Sequence, residues 1–440
     1  MTVNAQTLTP SATAALPEEL LEPRSVEETG LNMGFLVDLV LKTIYFAGEI
    51  TAQEISESVC LPFVGVVDTI LEYLKREELV GITGSTGLGE RSFRYAISQK
   101  GIQRAREALE RSQYVGPAPV TLDAYRKVML RQSPNQYRVG PEDVKRALSH
   151  LVVHPKLIDQ LGPAVNSGRS LFLYGPPGNG KSTIASAIAK MMKGDIYVPY
   201  AIAIGTSVIK VFDKVNHKPV EEQPKRETTS SLRARRADRR WVKIKRPSVV
   251  VGGELTLETL DLIYDPVSKT YEAPFQMKAN GGGFMIDDFG RQQVRPQDLL
   301  NRWIVPLESR VDFLTLQTGM KIEIPFQVLI VFSTNLDPKE LVDEAFLRRI
   351  RHKIEIGNPT ERQFFEIFRR VCLARGIEFK PQAVIYLIKN YYRKQNRELR
   401  SVHPRDIVDQ IVDIATYRGI KPALTKELID RACAAYFVDF

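Results

Sequence analysis

At 440 residues the chain is too long for one ordinary hydrophobic core, so we expect two or three domains. Its composition, 43% hydrophobic and 26% charged, is typical of a globular protein and excludes a chain that is disordered throughout. The net charge is +9, and residues 225–246 carry nearly all of this excess, which excludes a uniformly basic protein.

The N-terminal 30 residues contain five acidic residues, one arginine and several prolines. They lack the basic start and the apolar run of a signal peptide. No later window approaches the roughly 20 uninterrupted apolar residues that a membrane span needs. The 3 cysteines are widely separated, which excludes a disulfide framework and favours a reducing compartment. We therefore predict a disordered tail over residues 1–30 in a cytoplasmic protein that is not integral to a membrane.

Residues 31–113 carry three helical patterns, then a segment that alternates around a Gly-rich turn, then a further helix. This order resembles a winged-helix domain. Such domains read DNA through the third helix, but here that helix offers only Lys75 and Arg76 among several acidic residues. The pattern favours a protein-docking or structural domain, with DNA reading as the alternative. A Pro-containing linker is predicted over residues 114–137.

The stretch "SLFLYGPPGNGKSTIASAIAKMM" runs an apolar strand into a Gly-rich loop and a helix. It matches G-x-x-x-x-G-K-[ST] in the strand, loop and helix context of a phosphate-binding loop. Backbone N–H groups cradle phosphate oxygens, the lysine bridges the outer phosphates and the serine hydroxyl reaches Mg²⁺. The sequence therefore predicts ATP and Mg²⁺ as cofactors, with the nucleotide bound by Gly175, Pro176, Pro177, Gly178, Asn179, Gly180, Lys181, Ser182 and Thr183.

Two adjacent carboxylates, Asp287 and Asp288, end a second apolar strand in "GGGFMIDDFG". A phosphate-binding loop needs such an acid for Mg²⁺, so we expect Ser182 and Asp287 to serve the metal. Asp288 is then placed to polarise the attacking water. A protein-kinase Asp-Phe-Gly motif is excluded because no catalytic loop precedes it, and "HPRD" at 403–406 follows it instead.

With these motifs the chain resembles the AAA+ ATPase family over residues 138–440. The resemblance implies an α/β fold: a P-loop core with a parallel sheet over residues 138–357, containing a basic insert at about 215–280, and a helical lid over residues 358–440. The phosphate-binding loop corresponds to the Walker A motif and residues 284–288 to the Walker B motif.

The same resemblance implies roles for four further residues. Asn335, in "QVLIVFSTNLDP", matches sensor 1, and Arg405, in "SVHPRDIVDQIV", matches sensor 2. Arg349, or its neighbour Arg348, matches an arginine finger that acts on the ATP of an adjacent subunit, which implies a homo-oligomer, in this family usually a hexamer. Each residue also has a plainer interpretation: Asn335 as a turn cap, Arg405 as a surface residue, and the basic run at 348–351 as a solvated segment.

One departure concerns Asp288, where the family usually has Glu. The carboxylate is one methylene shorter, and we expect slow to moderate ATP hydrolysis instead of an inert switch. An alternating segment at 307–327 predicts a β-hairpin, whose placement resembles the branch with MoxR-type chaperones and enhancer-binding proteins.

Residues 225–246 contain ten basic and two acidic residues, which gives this segment a local charge of +8. With Trp241 they could grip nucleic acid by phosphate contacts and stacking. They could also bind an acidic protein or an anionic membrane surface, or form a solvated loop. The function that the sequence favours is an ATP-hydrolysing mechanochemical ring that remodels a protein client. The alternatives are a DNA-associated ATPase and a nucleotide-gated scaffold with little turnover.

Overall fold

The computed structural model describes residues 16–136, 138–221, 235–341 and 344–437. Within these ranges no helix combines the length and apolar character that crossing a bilayer requires. The helices are α1 (Met33–Ala47), α2 (Ala52–Ser58), α3 (Asp68–Arg76), α4 (Gln99–Arg111), α5 (Leu122–Arg131), α6 (Pro141–Ala147), α7 (Pro155–Ser167), α8 (Lys181–Met191), α9 (Phe275–Lys278), α10 (Pro296–Ser309), α11 (Pro338–Leu341), α12 (Glu344–Leu347), α13 (Glu361–Ala374), α14 (Pro381–Leu387), α15 (His403–Tyr417) and α16 (Lys426–Tyr436). The strands are β1 (Glu49–Thr51), β2 (Val80–Ser85), β3 (Phe93–Ile97), β4 (Val120–Thr121), β5 (Ser170–Tyr174), β6 (Asp195–Pro199), β7 (Ala201–Ile204), β8 (Ser207–Lys210), β9 (Trp241–Lys245), β10 (Ser248–Val251), β11 (Ile263–Asp265), β12 (Thr270–Glu272), β13 (Gly283–Ile286), β14 (Val311–Thr315), β15 (Lys321–Pro325), β16 (Leu329–Thr334) and β17 (His352–Glu355).

The N-terminal unit packs α1 to α4 against a three-stranded antiparallel sheet of order β1-β3-β2. Helix α1 begins where the Asn32 side chain accepts the Gly34 N–H, and α2 begins at a capping box between Thr51 and Glu54. Leucine and isoleucine side chains of α1 and α3 fill the core of this unit. The order of three helices and a hairpin agrees with the elements that the sequence predicts, with β1 as an additional strand.

Residues 16–30 differ from the predicted disordered tail. They contain two short 3-10 turns, and the side chains of Leu20 and Val26 are buried in two different cores. The Leu20 carbonyl accepts the Asp238 N–H at 2.9 Å, which ties this segment to a distant part of the chain. The prediction failed because the segment is rich in acidic residues, and two apolar side chains, Leu20 and Val26, hold it against the rest of the fold. Residues 1–15 of the predicted tail lie outside the described residues.

The central domain is built on a five-stranded parallel sheet of order β10-β13-β16-β5-β17. Alternate residues of β5 point to opposite faces: Leu171 and Leu173 pack with the side chains of α7 and α8, and Phe172 packs in the core that contains α10. Helices therefore cover both faces, as a parallel sheet requires. The predicted α/β fold with a parallel sheet is confirmed.

A second body of strands, which we call the β module, lies beside this sheet. It comprises α5, a five-stranded sheet of order β11-β12-β8-β7-β4, and the two ribbons β6-β9 and β14-β15. The ribbon β14-β15 is the hairpin that the alternation at 307–327 predicts. Residues 114–137 differ from the predicted linker, because Tyr125 and Met129 of α5 are buried in the core of the β module. The basic insert likewise contributes strands to this core.

The β module joins the parallel sheet at the glycines that precede β13. A Cβ atom at Gly282 would lie 2.1 Å from the Pro247 carbonyl oxygen, so only glycine permits this approach. The nearly buried Arg246 guanidinium donates hydrogen bonds to the carbonyls of Lys193 at 2.8 Å, Gln132 at 2.9 Å, and Gly281. These contacts connect α5, the end of β9 and the start of β13.

The C-terminal region forms a helical lid of four helices, α13 to α16, around its own core of buried side chains. A capping box between Thr360 and Gln363 starts α13, and a π-helical turn, Ile388–Arg393, extends α14.

Candidate functional site

The Gly-rich loop of residues 175–180 connects β5 to α8, with Lys181 as the first residue of the helix. The Lys181 Nζ donates to the carbonyls of Gly175 at 2.8 Å and Pro176 at 2.9 Å, so the ammonium lies inside the curve of the loop. Burial lowers the pKa of Lys181, and the carboxylates of Asp288 and Asp287 act in the opposite direction. A cation beside the N-terminus of α8 forms a site for an anion such as a phosphate group.

The paired carboxylates separate because the backbone turns between them. Asp287 still continues the sheet, since its N–H donates to the Val251 carbonyl at 2.8 Å, whereas Asp288 has a φ of 49° in the left-handed region. The Asp288 N–H donates to the Asp287 Oδ1 at 3.1 Å, and the exposed Asp288 side chain lines a cleft above the loop. The two acids therefore occupy different surroundings.

Asn335 follows β16, the strand between β13 and β5. Its Nδ2 donates to the Asp288 Oδ1 at 3.2 Å, so the amide and the carboxylate meet at the carboxyl edge of the sheet. This edge is where open parallel sheets bind ligands. The structure therefore brings together Lys181, Asp288 and Asn335, which lie far apart in the sequence.

The lid contacts the phosphate-binding loop directly. The Gly178 carbonyl accepts the Val402 N–H at 2.9 Å, and the Asn179 Oδ1 accepts the Ser401 N–H at 3.0 Å. The Asn179 Nδ2 donates to the Asn358 Oδ1 at 2.8 Å. A Cβ atom at Gly178 would lie 2.7 Å from the Val402 Cγ1, so the loop and the start of α15 are in close contact. The lid and the loop therefore form the cleft together.

The cleft has a volume of about 470 Å³. Arg405 lies on its lid side with 63% of the side chain exposed, and its Nε donates to the Asp406 Oδ1 at 3.1 Å. Of the loop residues proposed to bind nucleotide, those at 177–183 line the cleft, and Asp287, Gly175 and Pro176 are not among its lining residues. Seven of the nine predicted nucleotide residues on the loop thus share one cavity with Arg405 of the lid.

Sequence reasoning missed the apolar wall of this cleft. It is formed by Leu151, Val152 and Val153 on one side and by Ile367 and Val371 of the lid on the other. Such a wall suits a flat aromatic base. The Arg370 guanidinium holds the two sides together by donating to the carbonyls of Ser149 at 3.0 Å and Leu151 at 3.2 Å. The short apolar run at 151–153 upstream of the loop is the signal that could have found this wall.

Arg348 and Arg349 lie away from the cleft of their own chain, on a surface shared with Arg169 and Arg351. The Arg349 Nε donates to the Glu308 Oε1 at 2.6 Å, and the Arg348 side chain is 76% exposed. Neither arginine reaches the cleft within one chain, so a role at a nucleotide requires a second copy.

Two of the described basic residues of the basic run, Arg240 and Arg246, are buried inside the fold. Arg240 is buried with Asp238 at 2.8 Å and donates to the Thr29 carbonyl at 3.0 Å. Trp241 is 5% exposed, so the predicted stacking of Trp241 on nucleic acid is wrong for this structure. The prediction failed because Trp241 is in β9, whose inner face packs in the core of the β module. The rest of the predicted nucleic-acid run, residues 225–234, lies outside the described residues.

The oxygen ligands at the loop fit a hard cation bound together with nucleotide phosphates. The described part of the chain contains no group of three or more His, Cys, Asp or Glu side chains able to hold a metal by themselves. Ser182 and Asp287 offer one hydroxyl and one carboxylate, and Mg²⁺ typically takes one or two protein oxygens plus phosphate oxygens and water. These two residues are therefore compatible with Mg²⁺ bound with ATP.

Comparison with known proteins relates part of the central domain to a known family. Residues 171–237, which include β5, the phosphate-binding loop and α8, match the family model described as ATPase family associated with various cellular activities (AAA). This segment of the chain is similar to AAA ATPase domains. This match supports nucleotide binding at the loop. A second family model, described as a domain of unknown function (DUF8689), matches residues 360–435 of the lid.

Similarity beyond the AAA domain is limited. A segment of 86 residues is 34% identical to ATP-dependent zinc metalloprotease FtsH 3 of Symbiobacterium thermophilum, covering 19% of this chain and only 13% of that protein. NtrX from Brucella abortus in complex with ADP is 16% identical with a TM-score of 0.38, over 75% of this chain and 65% of that chain. The Thermotoga maritima RuvB Holliday junction branch migration motor is 14% identical with a TM-score of 0.33, over 72% of each chain. These values do not assign an activity to the whole protein.

Proposed function

We propose that this protein hydrolyses ATP to ADP and phosphate and uses the reaction to remodel a protein partner as an oligomeric ring. The observation that carries the proposal is the convergence of Lys181, Asp288 and Asn335 at one edge of the parallel sheet, with Arg405 of the lid in the same cleft. A cation, an acid and an amide so placed are the groups that phosphoryl transfer to water needs.

In the proposed reaction the loop N–H groups and Lys181 bind the phosphates, and Arg405 contacts them from the lid. Ser182 and Asp287 would hold Mg²⁺, which supplies neutralisation of phosphate charge when it is bound. Asp288 accepts the proton of the attacking water. Asn335 orients that water and, through its 3.2 Å hydrogen bond, holds the Asp288 carboxylate in place. The shorter side chain of Asp288 leads us to propose slow to moderate turnover.

The positions of Arg348 and Arg349 support a homo-oligomer. Both lie on a surface separate from the cleft, so an arginine finger on either one would act on the ATP of an adjacent copy. A closed ring, proposed to be a hexamer, would give every cleft such a neighbour. Arg349 is the stronger candidate because its hydrogen bond to Glu308 orients the guanidinium.

A protein partner is favoured over DNA by the N-terminal unit, which we assign to the winged-helix class. Its third helix, α3, exposes Glu72 beside Lys75 and Arg76, and the half-buried Glu77 follows its last residue. This surface has no net positive charge with which to bind phosphate groups. The buried Arg240 and Arg246 further reduce the positive charge available to nucleic acid. The reduced cysteines Cys60, Cys372 and Cys433 support a cytoplasmic location as part of the proposal.

The test is steady-state ATP hydrolysis together with nucleotide binding, at low salt and with or without DNA. Lys181→Ala should abolish binding, because the ammonium inside the loop is lost. Asp288→Asn should bind ATP normally and lose at least about 100-fold in turnover, because the amide cannot accept the proton. Asn also tolerates the left-handed backbone of this position, so the variant should fold.

Three other outcomes would each refute one part of the proposed function. Full turnover in Asp288→Asn would exclude the catalytic role of the carboxylate. Binding without turnover in the unaltered protein would indicate a nucleotide-gated scaffold. Turnover that DNA raises severalfold would overturn the protein partner in favour of nucleic acid.

A further inference from the structure

A second cavity, of about 630 Å³, lies where the 16–30 segment, the N-terminal unit and the β module meet. Its lining includes five arginines and a single glutamate, Glu22, a formal surplus of four positive charges. We call this cavity the arginine groove; its arginines are Arg24, Arg91, Arg235, Arg236 and Arg239. The AAA site does not involve it, because the two cavities share no lining residue.

Two of the arginines are held in position by the surrounding backbone. The Arg239 Nη2 donates to the Leu61 carbonyl at 2.8 Å and to the Ser56 Oγ at 3.2 Å. The Arg235 Nη2 donates to the Glu22 carbonyl at 3.2 Å, and the same side chain forms an ion pair with Glu28. Guanidinium groups anchored in this way lose little conformational entropy when an anion binds.

Arg24 and Arg91 differ from this pair because neither forms an ion pair with any described residue of the chain. Both are exposed, and the Arg91 guanidinium lies over the Phe63 ring at 5.5 Å from its centroid. Repulsion among nearby like charges disfavours such a cluster unless an anion joins it. Glu28, which pairs with Arg235, also interacts electrostatically with Arg24 and accepts its backbone N–H at 2.9 Å. The groove therefore offers two exposed cations that form no side-chain ion pair, beside two that are preorganised.

The groove also presents apolar surface. Val64 is 64% exposed, and Pro62 and Phe63 lie next to it in the lining. An occupant that carries both carboxylates and an apolar side chain would match this surface, and planar guanidinium groups pair with carboxylates through two hydrogen bonds. A nucleic-acid strand is less well matched, because Glu22 lies in the groove and Asp68 begins α3 directly after this wall.

We propose that the arginine groove is the docking site for an acidic peptide segment of the protein partner. Carboxylates of that segment bind Arg24 and Arg91, and an apolar side chain packs on Val64. The proposal rests on the proposed function in that this partner is the client, but docking itself requires no nucleotide. The client would therefore carry an acidic segment. That segment would bind where the 16–30 segment, the N-terminal unit and the β module meet.

The test uses the full-length protein and a fluorescent peptide of alternating glutamate and leucine, with binding followed by anisotropy. The double variant Arg24→Glu and Arg91→Glu should weaken binding by at least about tenfold. Arg106→Glu is the matched control, since Arg106 is an exposed arginine of α4 in the same unit and outside the groove, and it should stay within about twofold of wild type. Added salt should weaken the wild-type interaction.

Three results would overturn the docking site: no binding of the acidic peptide, equal loss in the Arg106 control, or equal affinity for a glutamine and leucine peptide. In a fourth outcome, a single-stranded oligonucleotide binds more tightly than the peptide and loses affinity in the double variant. That result would show that the ligand of the groove is a phosphodiester and not an acidic peptide. ATP turnover of the same preparations separates the two proposals. ATP turnover without peptide binding would refute the docking site and leave the proposed ATPase activity standing. Peptide binding without ATP turnover would refute ATP-driven remodelling and leave the docking site standing.

Discussion

Asn358 connects the lid to the phosphate-binding loop without lining the cleft. Its Oδ1 accepts the Asn179 Nδ2 at 2.8 Å and its Nδ2 donates to the Glu398 Oε2 at 2.9 Å. Asn179 is only 6% exposed, so Asn358→Ala leaves a nearly buried donor without an acceptor. We expect this substitution to release the lid from the loop more often while leaving every residue of the cleft in place.

The magnitude follows from the burial of the Asn179 amide. Losing a neutral hydrogen bond costs about 1 kcal/mol, and an unsatisfied buried donor costs up to about 3 kcal/mol. That range changes the equilibrium between docked and released lid by about 5- to 150-fold. The amides of Ser401 and Val402 report this equilibrium, because they donate to the Asn179 Oδ1 and the Gly178 carbonyl.

Hydrogen exchange at Ser401 and Val402 is the assay, and both amides should exchange faster by the factor just given. Asn390→Ala is the control, since the Asn390 Nδ2 donates to the Tyr386 carbonyl within the lid, and exchange at 401–402 should not change. Combining Asn358→Ala with Asn179→Ala should add little to Asn179→Ala alone, because both remove the same hydrogen bond. Unchanged exchange in Asn358→Ala, or fully additive effects, would refute the coupling between loop and lid.

Three further predictions follow from contacts outside the loop. Arg349→Ala should lower turnover at least about tenfold with little change in nucleotide affinity, as a finger acting between copies requires, and an equal loss in binding would contradict that role. Arg302→Leu should lower the free energy of unfolding by about 3–5 kcal/mol in urea denaturation, because Asp312 is fully buried and loses its partner at 2.6 Å; a loss below about 1 kcal/mol would contradict this reasoning. Burial lowers the pKa of Lys42 to about 8, so the folded state binds fewer protons than the unfolded state above that pH. The unfolding free energy of wild type should therefore rise between about pH 8 and pH 10, and Lys42→Met should lack this increment; identical pH profiles for the two proteins would contradict it.

Local patterns explain what the sequence could predict. The loop at 175–182 and the acids after β13 are each specified within one strand and the turn that follows it. Parallel strands bring such turns to a common edge, so the meeting of Lys181, Asp288 and Asn335 follows once the strands are recognised. The helical lid was predictable for a similar reason, because each of its helices carries its own apolar stripe.

The β module was not predictable because its core joins segments from distant parts of the chain. Tyr125 of α5 packs with side chains of β7, β9 and β15 in one cluster. No single segment shows this pattern, and prolines around α5 suggest a linker. The charge of Arg240 and Arg246 was misleading for the same reason: their acceptors are Asp238 and carbonyl groups contributed by other elements. Burial of a charged residue depends on its partners, which composition does not reveal.

The close approach of Gly282 to Pro247 ties β13 to the β module. The Arg246 guanidinium donates hydrogen bonds to carbonyl groups of both parts. Separating the two parts would therefore leave several buried polar groups without partners at once. We therefore expect the two to unfold as one cooperative unit, while the lid, attached through the loop, opens at lower free energy. In such an arrangement the parallel sheet and the β module would move as one rigid body, and the lid would be the part that moves relative to it.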